Sequence, residues 1–135
     1  MCYFLYGAVN QGADTSKCVF DTGDFEYRFN SGDSESVNSC VKKCGDEYRI
    51  TDAYCDCENP VGTGETGNKL LIQLADMIKL MKKEQTIKYV LISKNWAGEE
   101  NEKEEDVHID DINVLDFLAK VKDNCLYQIM LDFRY

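Results

Sequence analysis

Residues Lys69–Ile92, KLLIQLADMIKLMKKEQTIKYVLI, decide the fold class. Leu70, Leu71, Leu74, Met77, Ile78 and Met81 recur at helical spacing and form one apolar stripe. Lys69, Asp76, Lys79 and Lys83 lie mostly off it, and the lysines at its end complement the negative end of a helix dipole. Thr66 or Asn68 is the expected cap. Ile87–Ile92 (IKYVLI) is a short, β-rich apolar run, the pattern of a central parallel strand buried on both faces.

The rest of the chain is read against this helix–strand unit. Ser93–Asp106 is polar and strongly acidic (EENEKEED), which predicts a mobile surface loop. Asp110 or Asp111 is placed to cap a final helix burying Ile112, Leu115, Leu118, Ala119 and Val121. Leu126–Phe133 then ends the chain as an apolar strand.

Toward the N-terminus, Cys2–Val9 (CYFLYGAV) reads as a strand buried on both faces, and Gly7 within it marks a close backbone approach or a bend. Asn10–Gly23 is a loop rich in turn formers. Phe25–Phe29 alternates at a period of two, as a half-exposed strand does. Asp33 or Ser34 caps a short helix through about Lys43, with Gly45 as its stop. Tyr48–Cys57 reads as extended, with Tyr48, Ile50 and Tyr54 on one face. The second half runs strand–helix–strand–helix–strand, each crossover long enough for a right-handed parallel connection. The expectation is one small α/β domain over residues 1–135, with a mainly parallel sheet of about five strands and three helices. An antiparallel edge near the N-terminus is compatible with it.

Composition narrows the function classes. A net charge of -10, from 25 acidic against 15 basic side chains, repels phosphate backbones and argues against nucleic acid as a partner. The longest apolar run, Met1–Val9, is far shorter than the roughly 20 residues of a spanning helix, so no membrane partner is expected. That run also lacks the flanks of a secretory signal. Seven cysteines, an odd number, with no export signal point to a reducing, cytoplasmic setting in which thiols stay free or bind metal.

Chemistry concentrates in Asn38–Asn68, NSCVKKCGDEYRITDAYCDCENPVGTGETGN, which holds four of the cysteines and the only proline. Cys40, Cys44, Cys55 and Cys57 are candidate thiolate ligands for zinc or another thiophilic metal. Their C-x3-C and C-x-C spacing is looser than paired C-x2-C knuckles, and the site closes only if the chain folds back near Thr51–Asp52. Core packing is the competing role for these thiols.

Cys55 and Cys57 also stand close before a glycine-rich loop, with Asn59, Thr63 and Gly64, that offers backbone N–H groups at a helix start. The loop is not a complete phosphate-binding motif, and Glu65 opposes an anion. The only histidine, His108, sits in VHIDD beside Asp110 and Asp111. It is a candidate base or ligand if the acidic loop brings it to Cys55, Cys57 or Asn59. Trp96 is the remaining candidate contact residue.

Two functions follow. In the first, the protein is a binding module that holds a protein or small-molecule ligand at sheet-edge loops, Asn59–Asn68 and Trp96–Asp111. In the second, Cys40–Cys57 performs thiolate metal binding or thiol chemistry. No motif names an activity, and the missing catalytic set favours the first.

Overall fold

The computed structural model describes residues 3–18, 27–51, 56 and 64–132. Four strands form the sheet: β1 (Tyr3–Val9), β2 (Tyr89–Trp96), β3 (Lys103–His108) and β4 (Cys125–Met130). Three α-helices accompany them: α1 (Ser34–Lys42), α2 (Gly64–Lys82) and α3 (Val114–Ala119). This is a small α/β architecture with a mixed sheet.

Its strand order is β1-β2-β4-β3. β1 lies antiparallel to β2, with Tyr3 opposite Trp96 and Val9 opposite Val90. β2 lies antiparallel to β4, with Tyr89 opposite Met130, and only β3 and β4 are parallel. The expectation of a mainly parallel, five-stranded sheet is therefore corrected to four strands that are mostly antiparallel. IKYVLI does supply a central strand, but it is antiparallel to both neighbours. A crossover long enough for a parallel return permits that return without requiring it.

Two layers cover the sheet. On one face Leu5, Val9, Val90, Ile92 and Ile129 pack against the α2 stripe of Leu71, Leu74, Met77, Ile78 and Met81, joined by Val114 and Leu118 of α3. On the other face Tyr6, Ala8, Leu91 and Leu126 pack against Val37, Cys40 and Val41 of α1. Gly7 is required where these layers meet. A Cβ there would stand 2.7 Å from the Leu91 carbonyl oxygen and 2.7 Å from Ile50 Cδ1, so the close approach read from the sequence is present.

Helix ends differ in detail from expectation. Asp33 caps α1, its carboxylate accepting from the Ser36 backbone N–H at 2.8 Å. Cys44 rather than Gly45 takes the left-handed position after that helix (φ 52°), with Cys44 N–H donating to Val41 and Gly45 N–H to Cys40. α2 begins at Gly64, earlier than Thr66 or Asn68. Asn113, not Asp110 or Asp111, caps the six-residue α3, and residues 109–111 form a separate 3-10 turn.

The largest correction lies in the acidic segment. Lys103–His108 is strand β3, not loop. The extended reading of Tyr48–Cys57 also changes. Residues 48–50 lie along β1, but Tyr48 packs on the α1 face and Ile50 on the α2 face. Asp56 then returns against Arg49 and Thr51, and the rest of the expected extended stretch, residues 52–55 and 57, lies outside the described residues. The expected strand Phe25–Phe29 lies partly outside the described residues, and Tyr27 within it makes a single bridge to Thr51.

Candidate functional site

The two edges of the sheet are built differently. β1 carries its own covering. Gly7 N–H donates to the Tyr48 carbonyl at 2.8 Å, Ile50 N–H to Leu5 at 3.0 Å, and Val9 exchanges bonds with Asn30 and Gly32. A further outward donor, Leu5 N–H, reaches Asp56 Oδ2 at 2.8 Å. Asp56 is 4% exposed and Arg49 6%; their side chains pair at 3.0 Å, while the Thr51 hydroxyl donates to the second carboxylate oxygen. The Arg49 guanidinium also stands 4.5 Å over the Phe4 ring. One buried carboxylate thus meets the Leu5 N–H of the strand edge and Arg49 Nη2 together, while Arg49 Nε stays buried without a hydrogen-bond partner.

Among the described residues, β3 has no such covering. Its inner side is bonded to β4 from Lys103 opposite Cys125 to His108 opposite Met130. Among the described residues, no backbone bond joins its outer side. Its first four residues are exposed. Glu104 lies on the α1 face, where Asn38 Nδ2 donates to its Oε1 at 2.8 Å, and side-chain alternation puts Asp106 beside it. Glu105 and Val107 take the opposite face.

A relay of amides places this strand. The chain leaving β2 must pass the start of β4 to reach β3. Ser93 and Asn95, both buried, turn toward Asn101, which accepts from the Ser93 hydroxyl at 2.8 Å and Asn95 Nδ2 at 2.9 Å. Asn101 Nδ2 donates to Asn38 on α1 at 2.7 Å, and Asn38 passes the connection to Glu104. Glu102 N–H to the Asn124 carbonyl, 2.8 Å, closes the crossing. Buried polar side chains within an apolar layer require such partners.

Next to β3 lies a cleft of about 410 Å³ lined by Glu105, Ile112, Asp116, Phe117, Val121 and Tyr127, with Lys120 and Lys122 on it as well. Phe117 meets Tyr127 edge-on at 5.2 Å. Burial raises the Tyr127 phenol above its ordinary range, and its oxygen accepts from Lys122 N–H at 3.1 Å. The phenol is therefore neutral at physiological pH. Residues 99–111 add eight acidic side chains against one lysine, so this end of the molecule is strongly negative.

The residues singled out from the sequence do not form one site. Trp96 ends β2, packs on Tyr3 with centroids 5.6 Å apart, and donates to Asp123 at 3.3 Å, which also pairs with Lys94. Gly64 opens α2 and is exposed. His108 lies at the other end of the sheet: it pairs with Met130, which is level with Tyr89, seven residues from Trp96 along β2. That is roughly 23 Å at about 3.3 Å per residue. The His108 ring is held in place, with Nδ1 accepting from Asp110 N–H at 3.1 Å and Nε2–H donating to the Asp132 carbonyl at 2.7 Å.

Cys40 is buried, donates to the Gly45 carbonyl, and has its thiol pushed up by burial, so it is a poor nucleophile at neutral pH. Cys44 is exposed. Cys55, Cys57, Asn59 and Thr63 lie outside the described residues. Among the described residues no group of three or more His, Cys, Asp or Glu side chains is placed to hold a metal. No helix among them is long and apolar enough to cross a membrane.

Sequence reasoning missed β3, the Arg49–Asp56 pair and the asparagine relay. The one available signal for β3 was its charge, since exposed edge strands are commonly guarded by charged side chains. No protein-family model, curated protein or solved structure matches this chain, so function rests on the site itself.

Proposed function

We propose that this protein is a binding module whose partner, a protein, seats on the β3 edge and the cleft between α3 and the β3–β4 pair. The observation that carries the reading is the asymmetry of the sheet. One edge is sealed by the chain's own backbone and a buried ion pair. The other has no backbone partner among the described residues and lies beside an apolar-floored cleft. Within the expected Trp96–Asp111 region, the interaction surface is thus a strand rather than a loop.

The test is to select binders from a random displayed-peptide library and map them by amide chemical shifts. Perturbations confined to Lys103–His108 and Asn113–Tyr127 are expected. Binders that map to Trp96 and Asp123 instead, or a selection that yields none, would overturn the reading.

A second reading, thiol or metal chemistry at Cys55 and Cys57 with Cys40 or Cys44 assisting, is favoured by one observation. Asp56, the residue between the two cysteines, is fixed against Arg49 at 3.0 Å. That anchors the centre of the Cys55–Asp56–Cys57 tripeptide against a buried side chain. Zinc content and native thiol count on anaerobically purified protein decide it. One zinc per chain with the exposed Cys44 protected supports this reading, whereas no metal and no fast-reacting thiol other than Cys44 remove it.

A further inference from the structure

We propose that the partner contributes an extended, basic segment that adds to β3 as a fifth strand, an inference that rests on the binding-module reading. A strand points the N–H and C=O of alternate residues to one side. With the inner side of β3 committed to β4, those on its outer side form a ready template for another strand. Side chains set which strand fits. On the α1 face Glu104 and Asp106 lie two residues apart, so a partner places basic side chains opposite them at the same period. On the other face Glu105 borders the cleft. There Lys120 and Lys122 repel a second cation, while Ile112, Phe117 and Val121 accept an apolar or aromatic side chain.

The same charges exclude the nearest alternatives. A second copy of β3 would set Glu104, Glu105 and Asp106 against their equivalents, and like charges directly opposite are unfavourable. Nucleic acid is repelled by the eight acidic side chains of residues 99–111. The charge that guards the edge against self-association is therefore the charge that selects a basic partner.

The probes are a peptide alternating lysine and valine with a central tyrosine, its glutamate-for-lysine counterpart, and two versions of the first. Each of these two carries N-methyl groups on one alternate set of backbone amides. Binding is read by fluorescence anisotropy at low and high salt, with amide shifts to locate the site. The basic peptide should bind at Lys103–His108, weaken with salt, and outbind the acidic one by at least about tenfold. One methylated version should lose binding by about tenfold or more, because its blocked amides are those facing β3, while the other keeps it. The exposed variant Asp106→Lys should weaken the basic peptide by about threefold or more and leave melting temperature unchanged.

If both methylated versions bind like the parent, side chains alone mediate contact; strand addition is overturned and the binding-module reading stands. Strand addition by a basic segment is likewise overturned if library binders map to β3 and its cleft but carry no basic residues. If neither the basic peptide nor any library binder engages β3, both fail together.

Discussion

The edges of this sheet solve one physical problem in opposite ways. Exposed strand edges template unwanted pairing. At β1 the chain lays residues 30–32 and 48–50 along the edge and closes the Leu5 donor with Asp56, which requires burying a charge pair. At β3 no described residue lays its backbone along the edge, which carries Glu104, Glu105 and Asp106. The difference teaches that one pairing hazard can be met by backbone cover at one edge and by exposed charge at the other.

The sharpest break of that comparison is at Asp56. Asp56→Ala strands the Arg49 guanidinium and the Leu5 N–H in the interior and is expected to cost about 3–5 kcal/mol. Asp106→Ala on the open edge should change stability by no more than about 0.5 kcal/mol. Denaturant unfolding of the two variants measures both, and equal effects would erase the distinction between the edges.

Next in size is the relay that carries the chain to the open edge. Asn101→Ala leaves Ser93, Asn95 and Asn38 short of a partner, for about 1–3 kcal/mol. Amide exchange should then rise first across residues 97–108. Uniform loosening of β1 and β3 alike would show that the relay does not position β3 specifically.

A smaller change runs in the stabilising direction. Cys44 holds a left-handed conformation that glycine adopts without a Cβ penalty, so Cys44→Gly should gain about 1 kcal/mol. The same residue offers a chemical check. Cys44 should react with a thiol reagent in the native protein, while Cys18, Cys40 and Cys125 wait for unfolding.

The smallest effect is acid-dependent and acts through the α1 layer that carries Asn38. Bonds from the Ser36 N–H and hydroxyl hold the Asp33 carboxyl below its ordinary value. Its folded pKa is thus lower than its unfolded one, near 3.9. The cap's contribution is complete above that unfolded value and is lost as pH falls through the lowered folded one. Asp33→Asn keeps a capping oxygen without the titration, so its melting temperature should fall less steeply with acid than that of the parent. Parallel acid profiles would remove the Asp33 contribution.

Legibility followed burial. The α2 stripe was readable because Leu71, Leu74, Met77, Ile78 and Met81 face one core. The strands at Tyr3–Val9 and Tyr89–Trp96 were readable because apolar runs report two covered faces. β3 was unreadable by the same rule: Lys103–Asp106 is exposed, so no alternation records the strand. Trp96 and His108 were noticed for their chemistry, yet nothing local says that one ends β2 beside Tyr3 and the other ends β3 beside Met130.

By itself the sequence determined the three helices, the three strands with buried runs, the glycine at the β1–β2 approach and the acidic character of residues 99–111. Only the tertiary structure decided strand order and direction, the Arg49–Asp56 closure of β1, the amide relay and the open β3 edge. The physical reason is range. Periodicity and capping are written in neighbouring residues, whereas an edge is defined by which distant segment lies beside a strand and which does not.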